Sequence, residues 1–148
     1  MKIIIAAAVL LLALPIFAQA DELKPFTSDG CSSFPDGTPK TQTLWLNCCV
    51  RHDLAYWKGG TYQERLAADQ ALEHCVAKAG EPDIAKLMLQ GVRAGGSPLL
   101  PTPFRWGYGW SFPRDYKALT DNELAQVRTQ GEVLQSMLLE LINETSKK

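Results

Sequence analysis

The fold of this chain is decided by the stretch Asn47-Cys48-Cys49-Val50-Arg51-His52-Asp53. On an α-helix, residues four apart share a face, whereas neighbours point about 100° apart. Cys48 therefore shares a face with His52, and Cys49 shares the next face with Asp53. We expect a helix that carries a cysteine and a chemically useful side chain on each of two faces.

The histidine and the aspartate in this stretch suit different tasks. Histidine exchanges a proton near neutral pH, so His52 is a candidate general base. Asp53 offers a hard carboxylate oxygen of the kind that calcium prefers. Because neighbours on a helix aim apart, one base and one metal ligand fit better than a His-Asp dyad. Two alternatives stay open: a surface dipeptide without function, and a zinc site from Cys48, Cys49, His52 and Cys75.

The four cysteines predict two disulfides in a chain exported to an oxidising compartment. A direct Cys48–Cys49 bond would need a distorted backbone. Each of these two cysteines should therefore bridge to a different element, either Cys31 or Cys75. Two pairings remain, and the choice depends on which partner lies on which face of the helix.

Residues 1–20 have the pattern of a secretory signal peptide. Lys2 precedes an apolar run from Ile3 to Leu14, and Ala18-Gln19-Ala20 forms a small-x-small cleavage signal. A retained membrane anchor is the alternative, but this leader is shorter than the roughly 20 apolar residues that a spanning helix needs. We expect a secreted or periplasmic mature chain, residues 21–148, that begins at Asp21.

The charge balance excludes one class of function. The chain has 15 basic and 16 acidic residues, a formal charge of −1. Loss of Lys2 with the leader leaves 14 basic and 16 acidic residues, a charge of −2. This composition lacks the basic footprint of a nucleic-acid-binding protein. Residues 21–148 are enough for one domain with its own core, and we expect a monomer.

The first half of the mature chain predicts a loop followed by two helices. Residues 21–40 are rich in Gly, Pro, Ser and Asp, which favour a loop. The first helix runs from about Thr43 to Lys58 and ends at Gly59-Gly60. A Thr-x-x-Glu capping box then starts a second helix from Thr61 to about Ala79. Helices joined by so short a link pack antiparallel.

The second helix carries an aspartate that can approach the histidine. Asp69 and Cys75 both can face the first helix. If Cys75 bridges Cys48, then Asp69 falls near His52. A carboxylate in that place would orient the imidazole ring and stabilise its protonated form.

These features resemble the secreted phospholipase A₂ superfamily over the 47 residues from Asp29 to Cys75. The family order is a calcium loop with one cysteine, then Cys-Cys-x-x-His-Asp, then an aspartate six residues before another cysteine. Here Cys31, the residues from Cys48 to Asp53, and Asp69 with Cys75 match that order. The resemblance implies a mainly α fold: a calcium loop, two antiparallel disulfide-linked helices and additional C-terminal helices.

The resemblance also implies a pairing of the cysteines and roles for individual residues. His52 would activate water, Asp69 would orient His52, and Tyr56 would add a hydroxyl to the supporting network. Calcium (Ca²⁺) would be held by the carboxylate of Asp53 and by loop carbonyls. The implied disulfides are Cys31–Cys49 and Cys48–Cys75, and the implied carbonyl ligands are Gly30, Ser32 and Phe34.

The function implied by the resemblance is calcium-dependent hydrolysis of the sn-2 ester of phospholipids at a membrane or micelle interface. Calcium would polarise the ester carbonyl, and a histidine-activated water would attack it. The alternative is a catalytically weak lipid-binding or protein-binding module, of a toxin-like kind, on the same scaffold.

The sequence departs from the family pattern at two places. Ala55 stands three residues after the histidine, where the family motif has a cysteine. The loop has Ser32, Ser33 and Phe34 where the family has glycines, and non-glycine residues tolerate positive φ poorly. Asp36 is an alternative ligand in this loop. The departures indicate a divergent, bacterial-type branch.

The second half of the chain predicts two more helices around an aromatic segment. Residues 83–93 predict a helix with Ile84, Leu87 and Met88 as its core stripe. In residues 104–112 every second residue is aromatic, so an extended strand would put five rings on one face. That face would either cover the core or anchor the protein in a lipid interface.

The last predicted helix starts with a second capping box at Thr120 and runs to about Asn143. We expect its apolar side to pack on the core, with a membrane-bound or partner-bound helix as the alternative. That side consists of Leu124, Val127, Leu134, Met137, Leu138 and Leu141.

Overall fold

The computed structural model describes residues 21–146, which form four helices and no strand. These helices are α1 (Leu46–Lys58), α2 (Tyr62–Lys78), α3 (Pro82–Gly95) and α4 (Asp121–Thr145). The prediction of a mainly helical, disulfide-linked fold is confirmed, and each predicted helix end lies within three residues of its observed place. The predicted signal peptide, residues 1–20, lies outside the described residues.

Helices α1 and α2 form an antiparallel hairpin. Cys48 contacts Cys75, and further along α1 His52 contacts Asp69, so the residue numbers run in opposite directions along the two helices. The link is tight because Gly59 and Gly60 have φ of +67° and +141°, which favours glycine. The predicted capping box then starts α2, which also packs against α3.

Two disulfides join the loop and the hairpin. Cys31 is bonded to Cys49, and Cys48 is bonded to Cys75, so the pairing implied by the family resemblance is confirmed. The zinc alternative is wrong because no cysteine of residues 21–146 is free. The bridges lie in an apolar core whose other buried members are Trp45, Leu72, Val76, Ala85 and Met88. Leu87, predicted for this core, is instead 53% exposed.

The aromatic segment caps the C-terminal end of α1. A helix leaves its last carbonyls without intrahelical partners. The amides of Gly107 and Gly109 donate to the carbonyls of Tyr56 and Trp57, and the indole of Trp110 donates to the carbonyl of Lys58. Because these contacts hold residues 103–110 in turns and bends, the extended aromatic face does not form.

Burial decides between the two interpretations of the aromatic segment. Trp106 and Trp110 are 1% and 0% exposed and pack with Trp57 in a second core cluster. These two tryptophans belong to the core, as the core-packing alternative expected, whereas Phe112 is 50% exposed. The lipid anchor made of one face of five rings is therefore wrong. The close approach needs glycine, since a Cβ on Gly59 would lie 2.8 Å from the Cα of Gly107.

The first turns of α4 hold this helix to the rest of the chain. The side chain of Gln126 accepts a hydrogen bond from the amide of Leu23 and donates one to the carbonyl of Asp21. Glu123 is buried and lies 3.0 Å from Nη1 of Arg114. Val127 packs against the aromatic cluster. These contacts hold the start of α4 against residues 21–23, Arg114 and the aromatic cluster.

The second half of α4 does not pack on the core as expected. Every residue from 135 to 146 is exposed. Apolar side chains therefore face solvent along several turns, and they include Val133, Met137, Leu138, Leu139, Leu141 and Ile142. Among residues 21–146, no helix has the length and apolar character needed to cross a membrane.

Replacement of Glu123 by Gln should destabilise the fold in a pH-dependent way. Burial alone would raise the pKa of Glu123, but the amide of Thr120 and the cations of Arg114 and Lys117 lower it from 4.5 to about 2. The ionised carboxylate therefore stabilises the fold above pH 4.5, and this contribution is lost as the pH falls toward 2. We expect Glu123→Gln to lose ~2–3 kcal/mol of unfolding free energy at pH 7.

Urea denaturation at a series of pH values measures this loss. Glu132→Gln on the same helix is the control, because Glu132 is exposed. The unfolding free energies of the two variants should differ by ~2–3 kcal/mol at pH 7 and become equal as the pH approaches 2. Equal stability of the two variants at pH 7 would contradict the role given to Glu123.

Candidate active site

The candidate site is built around a fully buried carboxylate, Asp69 on α2, which is 0% exposed. Its Oδ1 lies 3.0 Å from Nε2 of His52 and accepts a 2.7 Å hydrogen bond from the hydroxyl of Tyr56. Both partners are on α1, one turn apart. The hairpin therefore brings together the three residues that the family resemblance implied as a catalytic group.

Two arginines complete the surroundings of Asp69. Nε of Arg93 at the end of α3 lies 2.7 Å from Oδ2, and Nε of Arg65 lies 3.9 Å from the same oxygen. The Arg93 contact is electrostatic, because neither atom has an aligned hydrogen-bond partner within the described chain. Arg65 also donates to the hydroxyl of Tyr56 and to the carbonyls of Val92 and Arg93. The arginines thus join α2 to the end of α3 around the buried charge.

The hydrogen bonds fix the roles of the ring atoms and the hydroxyl. Burial, followed by the charge of Asp69, raises the pKa of Tyr56 above its ordinary range, so its hydroxyl stays protonated and donates. Nε2 of His52 faces the carboxylate as a donor, which leaves Nδ1 as the acceptor in the neutral ring. Nδ1 has no hydrogen bond within residues 21–146. The His52 side chain lines a cavity between α1 and α2, which gives water a route to the ring.

Asp53, the residue next to His52, lies in a separate buried site. Its Oδ2 accepts a 2.6 Å hydrogen bond from the hydroxyl of Ser28. Burial raises the pKa of Asp53 from 3.8 to about 6, although this bond and the charge of His52 oppose the rise. The charge of Asp29 adds to the rise. The carboxylate is thus short of positive charge, which a bound cation would supply.

The three predicted carbonyl ligands lie in the loop that Cys31 ties to α1. Gly30 is buried, and its amide donates to Ser28, while the hydroxyl of Ser32 donates to Asp29. Phe34 packs against the disulfide core. None of the three has a hydrogen bond to Asp53 within the described chain, and their role as ligands stays a prediction.

The remaining loop residues explain how a glycine-poor loop still turns. Ser33 takes a φ of +58°, a conformation that costs energy in a non-glycine residue. Asp36, the alternative ligand, has its Oδ1 2.8 Å from the amide of Cys31, so it closes the loop on itself.

The donors around Asp53 fit calcium in their chemistry. Calcium is bound by carboxylate, hydroxyl and carbonyl oxygens, and it can take backbone oxygens for most of its ligands. Asp53, Ser28 and Asp29 provide such oxygens. The buried carboxylate of Asp53 also lacks enough neighbouring positive charge to balance its own charge. Among residues 21–146, no group of three or more His, Cys, Asp or Glu side chains is arranged to hold a metal ion. A calcium ion here would therefore depend on backbone or hydroxyl oxygens.

A cavity of about 140 Å³ opens beside His52, between α1 and α2. Pockets that take a whole drug-sized ligand have about 300–1,000 Å³. The cavity is therefore large enough for part of a substrate, and the rest would lie outside it. Its lining consists of Cys48, Arg51, His52, Ala55, Ala68, Ala71, Leu72 and Cys75. Ala55, at the position of a cysteine in the motif that the sequence resembles, contributes a small side chain to this lining.

Sequence analysis missed three residues of the site: Ser28, Arg65 and Arg93. Arg65 lies four residues before Asp69, so helix periodicity places the two side chains on one face. That spacing was a signal for Arg65. No comparable signal exists for Arg93 or Ser28, because both reach the site through tertiary packing.

No family model, curated protein or solved structure matches this chain.

Replacement of Arg93 by Gln should destabilise the protein by leaving Asp69 with less positive charge. Removal of one partner from a buried ion pair costs up to about 3–5 kcal/mol. Because the Arg93 side chain is 35% exposed and Asp69 keeps its other partners, we expect a smaller loss of ~1–2 kcal/mol. Urea denaturation of the variant measures the change.

The control for this experiment is Lys86→Gln, which removes a positive charge from an exposed position on α3. Its unfolding free energy should stay within about 0.5 kcal/mol of the parent protein. If Arg93→Gln were as stable as Lys86→Gln, Arg93 would not compensate the buried charge.

Proposed function

We propose that this chain is a calcium-dependent phospholipase A₂-like esterase of the secreted superfamily, exported as residues 21–148. The observation that carries the proposal is the buried Asp69, which contacts His52 at Nε2 and leaves Nδ1 without a hydrogen bond in the described chain, in a side chain that lines a cavity. A structural ion pair does not need a histidine with a free acceptor nitrogen beside a cavity. A general base needs both features.

In the proposed reaction, Nδ1 of His52 removes a proton from a water molecule as the water oxygen attacks the sn-2 ester carbonyl. Asp69 stabilises the resulting imidazolium through Nε2, and Tyr56 and the arginines keep the carboxylate in place. When the tetrahedral intermediate collapses, His52 returns the proton to the leaving alkoxide. The products are a free fatty acid and a lysophospholipid.

Asp53, the next residue along α1, would hold the metal. The residues proposed to bind calcium are Asp53 and the carbonyl oxygens of Gly30, Ser32 and Phe34, and the hydroxyl of Ser28 lies in the same place. A bound calcium ion would supply Lewis-acid polarisation of the ester carbonyl and a counter-charge for the lipid phosphate. The Cys31–Cys49 bridge supports this arrangement because it ties the loop to the helix that carries Asp53.

His52→Gln should abolish the release of fatty acid from the sn-2 position. Loss of a positioned general base costs ~10²–10⁴-fold in rate, and glutamine keeps most of the shape of the ring site. The assay uses purified residues 21–148, calcium, and phosphatidylcholine vesicles labelled separately in the two acyl chains.

The matched control is His74→Gln, since His74 is the second of two histidines and is exposed on α2. This variant should keep parental turnover. Equal turnover of His52→Gln and the parent would disprove the assignment of the base, and release from the sn-1 position would disprove the regiochemistry.

Calcium binding should depend on Asp53 and weaken in acid. Asp53→Asn should lower the calcium affinity at least ~10-fold, because a neutral amide replaces the charged ligand. Since the pKa of Asp53 is raised to about 6, protons compete with the metal as the pH falls through 6. Roughly a tenth of the carboxylate is ionised at pH 5, so the parent affinity should fall about tenfold between pH 7 and pH 5.

Isothermal titration calorimetry with calcium chloride tests both expectations without any substrate. Asp83→Asn serves as the control, because the side chain of Asp83 is 97% exposed on α3. Unchanged calcium affinity in Asp53→Asn would contradict the assignment of Asp53 as a metal ligand. It would not affect the assignment of His52 as the general base.

A further inference from the structure

Helix α4 carries an apolar stripe along one face, and residues 21–146 leave its part in the second half of the helix largely uncovered. Its apolar and small residues recur with alternating spacings of three and four. The positions are Leu124, Val127, Gly131, Leu134, Leu138 and Leu141. The stripe from Leu124 to Leu141 covers about two and a half heptads, and such spacing is typical of helices that pair along a seam.

The stripe is continuous with the face that holds α4 to its own chain. Val127 packs against the aromatic cluster, and Leu134 two turns later is half-buried. Leu138 and Leu141 follow on the same face, and they are 51% and 57% exposed. The face of α4 that packs on the aromatic cluster thus continues past the end of that cluster. We call residues 133–142, which extend beyond it, the overhanging segment.

Charge excludes an anionic lipid surface as the natural cover of this segment. Helices that lie on membranes carry Lys and Arg on their polar face. From Thr129 to Ser146 the ionisable residues are acidic, namely Glu132, Glu140 and Glu144, and the basic residues Lys147 and Lys148 come only after them in the sequence. Anionic headgroups would repel this face. The acidic residues lie outside the Leu134–Leu138–Leu141 seam, so they do not oppose an apolar partner.

A second copy of this chain satisfies these conditions. Two identical stripes can bury each other about a two-fold axis, which keeps both acidic faces in solvent. The heptad spacing matches the packing of one such helix against another. We propose that the overhanging segments of two copies pair through Leu134, Leu138 and Leu141 to form a dimer, in place of the monomer that the sequence indicated. The proposal does not rest on the proposed function.

The expected dimer is weak because the uncovered stripe is short. Interfaces that bury less than about 1,200 Å² in total form transient complexes, so dissociation in the micromolar range is expected. Sedimentation equilibrium of residues 21–148 between about 1 and 200 μM should show the mass rising from one chain to two. A single-chain mass throughout this range would overturn the proposal.

Two matched variants test whether the stripe itself forms the contact. Leu138 and Leu139 are 51% and 53% exposed, but they point about 100° apart, and only Leu138 lies in the seam. Leu138→Arg should weaken dimerisation at least ~100-fold, because the charge enters a two-fold interface twice. Leu139→Arg should change the dissociation constant less than about threefold. Equal effects of the two variants would show non-specific association and overturn the assignment.

A second seam variant and a lipid control complete the experiment. Leu141→Arg should repeat the effect of Leu138→Arg, and urea denaturation should show that the helical core of each variant unfolds at the parental midpoint. Co-sedimentation with vesicles of pure phosphatidylcholine tests whether a neutral lipid surface covers the overhanging segment instead. If the parent stays a monomer without lipid and binds these vesicles in a way that Leu138→Arg abolishes, a neutral lipid surface covers the segment and the dimer is wrong.

Discussion

The burial of one charge, the carboxylate of Asp69, is the constraint on which the rest of this structure depends. An isolated buried carboxylate costs several kcal/mol, so it must be surrounded by donors and cations. Here α1 supplies His52 and Tyr56, α2 supplies Arg65, and the end of α3 supplies Arg93. Because these partners come from three helices, the helices cannot shift independently without exposing the charge. The same constraint orients the imidazole ring, so one set of contacts serves both stability and the proposed chemistry.

The features that could be predicted from the sequence are those set by local periodicity and capping. The capping box at Thr61 and the glycines before it define the hairpin, and the hairpin aligns Asp69 with His52. The disulfide pairing followed from the family resemblance, since helix geometry left two pairings open. The sequence therefore predicted the helical scaffold and the central three residues of the site, whose contacts span a single hairpin.

The features that could not be predicted depend on contacts between distant segments. Alternating aromatics resemble a strand, but the unpaired carbonyls at the end of α1 accept hydrogen bonds from Gly107 and Gly109 and hold that segment in turns. Tertiary hydrogen bonding thus overrides the period-two pattern. Arg93 and Ser28 are distant in sequence from the site residues that they contact, and no sequence motif links them. The apolar side of α4 was correctly identified, but periodicity does not reveal whether a chain's own core is wide enough to cover it.

The most direct test of the central claim is the tautomer of His52 in the folded protein. If Asp69 holds the ring for base catalysis, neutral His52 must carry its proton on Nε2 and leave Nδ1 unprotonated. Long-range ¹H–¹⁵N correlation spectra of uniformly labelled residues 21–148 at pH 8 distinguish the two ring nitrogens, and His74→Gln assigns the signals. The account predicts a protonated Nε2 in the parent and a mixture of tautomers in Asp69→Asn. A protonated Nδ1 in the parent would contradict it, because that nitrogen could not then accept a proton from water.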